Sequence, residues 1–144
     1  MVKATTICTV LSFVISHNWP IRQLDVHNAF LNRLLVEDVY IAQPSDFVLS
    51  QFPNYFCKLE KTLYGLKQAP RAWFQHLQDT LLKWGFQPFI VDPSMFLFWN
   101  NQHTLILLVY VNDILLIGDS ISLMQSLISY LNKNFALKDL GDLH

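Results

Sequence analysis

Apolar residues recur at helical spacing in MVKATTICTVLSFVISHNWP, at Ile7, Val10, Leu11, Val14 and Ile15, which predicts an amphipathic helix ending before Pro20. Arg22 to Val26 alternates weakly and reads as a short strand with Asp25 near its end. His27 to Leu34 fits a helical turn. Val39, Tyr40 and Ile41 form another strand pattern, closed by Gln43, Pro44 and Ser45. Beyond a loop with Pro53 and Asn54, Tyr55 to Leu59 is again strand-like. Gly65 and Pro70 then punctuate LYGLKQAPRAW, and a helix is expected to begin near Pro70, a residue favoured in the first turn. Trp73, Phe74, Leu77, Leu81 and Leu82 keep its apolar stripe, and Gly85 is its stop.

The second half is richer in strands. Ser94 to Trp99 and Thr104 to Val111 are apolar runs separated by the turn residues Asn100 and Asn101. Asn112 and Asp113 read as a tight turn into a third strand, Ile114 to Gly118. Asp119 or Ser120 caps a last helix to about Phe135, with Leu123, Leu127, Ile128 and Leu131 on one face. There is no regular βαβ alternation, so the expected class is α+β, with helices packed on one face of a mostly antiparallel sheet.

Composition narrows the class further. A chain of 144 residues is one ordinary domain in size and long enough to bury a core. It is 52% hydrophobic and 14% aromatic but only 15% charged, against about 25% in an average domain. Disorder is excluded; the balance suits a core cut from something larger, or a poorly soluble chain. The formal net charge of -1 gives no global sign of a nucleic-acid partner. Cys8 and Cys57 and five scattered histidines match no disulfide framework or zinc spacing. Lys3 followed by an apolar stretch imitates a signal peptide, but Thr5, Thr6, Thr9, Ser12 and Ser16 interrupt it. No run approaches the length of a membrane span, so an intracellular protein without a membrane partner is expected.

Candidate chemistry centres on LLVYVNDILL, Leu107 to Leu116, where Asn112 and Asp113 interrupt a buried-looking run. A buried carboxylate is costly unless a partner or a cation awaits it. Asp25, at another strand end, is the natural counterpart: carboxylates at the ends of neighbouring antiparallel strands can share one coordination sphere. Two-Mg2+ phosphoryl transfer needs that geometry. Each aspartate alone is a weak signal, and on the residues alone an ordinary turn aspartate is the favoured reading.

The segments QLDVHNAFLN, VYIAQPSDF, CKLEKTLYGLKQAPRAWF, DPSMFLF, LLVYVNDILLIG and FALKDLGDLH, in this order, resemble the reverse transcriptase of copia-type long-terminal-repeat retrotransposons. The resemblance covers essentially the whole chain. It implies a polymerase palm-like sheet, with residues 1–144 a single partial domain, palm with part of the fingers, that lacks N-terminal fingers, thumb and RNase H. It further implies Mg2+ as cofactor, template-primer and dNTP as partners, and association with other parts of a Pol polyprotein. By the same resemblance Asp25, Asp113 and the Val26 backbone carbonyl match metal ligands, and Phe30 matches an aromatic gate under the nucleotide sugar. A core aromatic is the reading of Phe30 without the family. Gly65, Lys67, Gln68, Ala69, Pro70 and Arg71 match the block lining nucleotide and template, Tyr110, which opens the hairpin motif, joins those contacts, and Lys138 lies where a proton-donating lysine sits. Lys58, Lys61, Lys67 and Arg71 against Glu60 make a local positive patch, although exposed lysines are usually just solvated.

The hairpin motif departs from the family. Its usual form is Tyr-x-Asp-Asp, and Asn112 stands where the first aspartate is expected. An amide brings no negative charge and cannot bridge two cations as a carboxylate does. Its loss should cost roughly a thousandfold or more in rate. Asp113 is not expected to compensate, because adjacent side chains on a strand point to opposite sides. The expectation is a polymerase fragment inactive in this copy; the alternatives are a non-catalytic nucleic-acid-binding remnant and, more weakly, a small secreted protein.

Overall fold

The computed structural model describes residues 3–27, 34–61 and 69–142. The chain divides into two compact units, residues 1–29 with 76–144, and residues 30–75. In chain order the elements are α1 (Ala4–His17), β1 (Ile21–Val26), β2 (Leu34–Ala42), β3 (Phe56–Lys61), α2 (Ala69–Trp84), β4 (Gln87–Pro88), β5 (Met95–Trp99), β6 (Thr104–Tyr110), β7 (Asp113–Gly118), α3 (Ile121–Asn134) and β8 (Leu137–Asp142). Among the described residues no helix is long and apolar enough to cross a membrane.

The first unit is built on a six-stranded sheet of order β4-β5-β6-β7-β1-β8. Every pairing in it is antiparallel. The earliest strand, β1, is inserted between β7 and β8, and this brings Asp25 beside a hairpin that follows it by more than 80 residues in sequence. The α+β class and the antiparallel sheet are as expected. The helices, however, divide between its two faces. Val10 and Val14 of α1 pack with Met95, Ile106, Leu108 and Ile117, and Ile7, Ile21, Leu97 and Leu115 close around them. Side chains alternate across a strand, so Phe96, Leu105, Leu107, Leu116 and Leu24 occupy the other face, and all are fully buried. There Phe98 meets Trp84 at the end of α2 and Phe86 just beyond it, and α3 packs on β7. The Tyr130 hydroxyl of α3 donates to the Thr80 carbonyl of α2 at 3.5 Å, and His76 lies against Phe135 with ring centroids 4.9 Å apart. The reason for two-sided cover is in β6, buried without a break from Leu105 to Val109. Each such side chain left in water would forfeit about 1.5–3 kcal/mol, so neither face can stay bare.

Local stops fall where the sequence puts them. The left-handed Asn18, φ 54°, ends α1 and donates its N–H to the carbonyls of Val14 and Ile15. Gly85, φ 118°, ends α2 with its N–H on the Leu81 and Leu82 carbonyls. The Ser120 hydroxyl caps α3 by accepting the Leu123 N–H at 3.3 Å. The start of α1 is tied to the loop before β5 by Asp92, which is 1% exposed. Its carboxylate accepts the backbone N–H groups of Lys3 (2.8 Å) and Ser94 (3.0 Å). The Lys3 ammonium adds a bond to the Val91 carbonyl at 2.9 Å. Burial pushes the Asp92 carboxyl up, but these donors and the Lys3 charge outweigh it and hold the group below its ordinary value.

Three expectations need correction. The β6–β7 turn is Val111–Asn112, not Asn112–Asp113, and Asp113 is the first residue of β7. Two strands, β4 and β8, were not foreseen. Of the helical turn expected at His27 to Leu34, residues 28–33 lie outside the described ones, and Leu34 opens β2.

The second unit contains the antiparallel pair β2–β3, with Val39 opposite Leu59 and Ile41 opposite Cys57. A 3-10 turn, Ser45–Phe47, follows β2. Gln43 closes the connection: its amide donates to the Phe52 and Tyr55 carbonyls (2.7 and 2.9 Å) and accepts the Leu49 N–H (2.9 Å).

Candidate active site

Asp25, next to last in β1, has Asp113 as its Cα partner on β7 and Lys138 as its partner on β8. Residues directly opposite on antiparallel strands share a face, so both aspartates and the lysine emerge on the α1 side of the sheet. Tyr110 is in turn opposite Asp113, on the far strand of the hairpin. The expected opposition of Asp113 to its neighbour by strand alternation does not hold, because Asn112 belongs to the turn and alternation stops at the strand's first residue.

The turn is tied to β1 twice. The Val26 N–H donates to the Asn112 carbonyl at 3.0 Å, and the Asn112 side-chain Nδ2 donates to Asp25 Oδ1 at 2.8 Å. An ionised carboxylate only accepts, so the amide must turn its NH2 toward Asp25. The other Asp25 oxygen, Oδ2, stands 3.6 Å from His27 Nδ1. The connection is made with Val111 at φ 55°, a left-handed conformation that a β-branched residue rarely adopts. Beside the aspartates, on the same face, lies an open depression of about 330 Å³ lined by Ile7, Gln23, Leu108, Tyr110, Asp113 and Leu115.

The site holds two acids at facing register positions. Two carboxylates on facing positions repel. The Asn112 amide donates to Asp25, His27 lies beside its other oxygen, and Lys138 is its register partner on β8. Among the described residues no group of three or more His, Cys, Asp or Glu is placed to hold a metal ion. Two carboxylates with an amide donor aimed at one of them do not fit a two-cation centre, which needs acceptors on every side of the ions.

The other expected residues fall elsewhere. Val26 is buried at the end of β1. Phe30, Gly65, Lys67 and Gln68 lie outside the described residues. Ala69, Pro70 and Arg71 form the first turn of α2, in the second unit, with Pro70 and Arg71 exposed. The positive patch is weaker than expected, since Lys58 is paired with Asp38 at 2.8 Å. The hydrogen bond to Asp38 holds the Lys58 ammonium above its ordinary value. Sequence reasoning missed His27 and Asp92. Asp-x-Ser is a turn signal for the second, because the Asp92 carboxylate accepts the N–H two residues on; a lone histidine after a strand carries no comparable signal for the first.

An antiparallel sheet that sets an inner-strand acid against an acid at a hairpin end, with helices packed on it, is a protein of the α+β class. The family model described as "Reverse transcriptase (RNA-dependent DNA polymerase)" matches residues 1–144, and the chain belongs to that family. Its relatives are copia-type Pol polyproteins. The chain is 45% identical, over its whole length, to the "Retrovirus-related Pol polyprotein from transposon RE1" of Arabidopsis thaliana, and covers 10% of that protein. It is 39% identical over 142 residues, 98% of the chain, to the Pol polyprotein from transposon TNT 1-94 of Nicotiana tabacum, covering 11% of it. A putative transposon Ty5-1 protein of Saccharomyces cerevisiae is 35% identical over 118 residues, 82% of this chain and 38% of that protein. The chain thus spans about a tenth of the length of the Arabidopsis relative. No solved structure matches it significantly.

Proposed function

We propose that this chain is the palm segment of a copia-type reverse transcriptase whose catalytic centre is impaired by Asn112. The family is generally Mg2+-dependent, and its chemistry is nucleotidyl transfer from a dNTP to a primer 3'-OH on an RNA or DNA template. In this reading Asp25 and Asp113 are the remaining metal-ligating carboxylates, and Tyr110 is one of the nucleotide and template contacts. Phe30 and the block from Gly65 to Arg71 are the nucleotide and template contacts, and Lys138 is positioned toward the leaving group. The observation that carries the impairment is the 2.8 Å bond from the Asn112 amide to Asp25. Where a third carboxylate would add charge for the cations, this side chain adds a donor.

The test is Mg2+-dependent primer extension on an RNA template, with residues 1–144 exchanged for the matching segment of an active relative. Extension by the Asn112→Asp chimera, and at least about a hundredfold less by the chimera that keeps Asn112, is the expected outcome. Equal extension by both removes the impairment. Template-primer binding without extension in either favours the alternative, a non-catalytic nucleic-acid-binding remnant.

A further inference from the structure

We propose that Asn112 acts as a plug and not as a weakened ligand: its amide competes with a divalent cation for Asp25, so removing the side chain improves cation binding. The inference rests on the reading of Asp25 as a cation ligand, and goes beyond it in assigning Asn112 an active, opposing role. A missing ligand and a plug make opposite predictions for truncation, which makes the distinction measurable.

The geometry favours the plug. A ligating amide presents its oxygen to the ion, whereas here the nitrogen faces Asp25 Oδ1 at 2.8 Å. A cation bound by that oxygen on the tip side would stand about 2.0–2.2 Å from it, in space the N–H already fills with the same sign of partial charge. The amide is also held. Its residue's carbonyl accepts the Val26 N–H at 3.0 Å, the connection is only Val111–Asn112, and Val111 is already in the left-handed region. Turning the amide over would set its oxygen against the Asp25 carboxylate, acceptor on acceptor. With Oδ2 near His27, both Asp25 oxygens have a neighbour from the chain itself.

The experiment uses the chain as it is, with Mn2+ as an oxygen-seeking probe followed by the electron paramagnetic resonance of the free ion. Asn112→Ala is expected to bind Mn2+ about tenfold more tightly than the unchanged chain, the worth of one hydrogen bond to a charged group. Asn112→Asp is expected to bind more tightly still. Equal or weaker binding by Asn112→Ala overturns the plug. Asp25→Asn separates the two levels of inference: undiminished binding in that variant means that the ion does not use Asp25, and the reading of the site falls with the plug. Should Asn112→Ala fail to fold, the unchanged chain still decides the matter by NMR. Mg2+ is expected to shift the Asn112 side-chain NH2 resonances toward those of a free amide as it binds. An NH2 group that stays hydrogen-bonded at saturating Mg2+ overturns the proposal.

Discussion

Replacing Asp92 by alanine tests whether the DPSMF stretch is a structural clamp for the helix that borders the site. The carboxylate is 1% exposed and accepts from Lys3 N–H and Ser94 N–H. A hydrogen bond to a charged group contributes about 1.5–3 kcal/mol, and less where one partner is exposed, as Lys3 is; the sum expected is about 3 kcal/mol. For a chain of 144 residues this corresponds to a fall of about 10 °C in Tm. The sign with pH follows from the lowered carboxyl. Its contribution is complete above the ordinary value of 3.8 and is lost as the pH falls through the lower folded-state value. Urea unfolding followed by circular dichroism, near neutral pH and in acid, should therefore show a gap between parent and Asp92→Ala that closes in acid. Hydrogen exchange should show the first turn of α1 opening earlier in the variant. A gap below about 0.5 kcal/mol near neutral pH, the scatter of ordinary surface substitutions, would refute the clamp. So would a gap unchanged in acid.

Two further outcomes follow from backbone geometry. Val111→Gly relieves a left-handed β-branched residue, with strain of about 1–3 kcal/mol set against about 0.5–1 kcal/mol of glycine's extra chain entropy. A net gain of about 1 kcal/mol in urea unfolding is expected, and a loss of that size would show that Val111 side-chain contacts outweigh the strain. At Gly118, opposite Leu105, an added Cβ would overlap Leu105 Cδ2 and lie 3.0 Å from the Thr104 carbonyl oxygen. Gly118→Ala should cost about 1–3 kcal/mol in a thermal melt, and an unchanged Tm would show that Leu105 yields without strain.

The three helices were legible because periodicity and punctuation agreed: Pro20 after α1, Gly85 after α2 and Ser120 before α3. The strand β8 was not, because Leu137–Asp142 has no apolar alternation. It is an edge strand held by backbone pairing to β1 and by Arg22 against Asp139 at 3.1 Å, both long-range facts. The run Leu105 to Val109 already announced a strand buried on both faces, yet that implication for the helices became visible only with α1 seated opposite α2 and α3. The turn was shifted by one residue because Asn-Asp is good turn chemistry and valine is poor at φ 55°. Local preference lost there to the register of β6 and β7, fixed by Leu107 opposite Leu116 and Val109 opposite Ile114.

That one-residue shift changes the chemistry of the site. With Asp113 as the first residue of β7 it shares a face with Asp25, so both carboxylates stand on the same side of the sheet. A third carboxylate at position 112 would deepen the repulsion and leave the tip dependent on cations. Asparagine has nearly the same shape but exchanges one oxygen for NH2, which turns an acceptor into a donor with the backbone unmoved. Residue 112 thereby keeps its backbone bond to Val26 and gains a side-chain bond to Asp25. The sequence shows an amide at this position. Only the geometry reveals that this amide is aimed at Asp25, the carboxylate proposed above as a cation ligand.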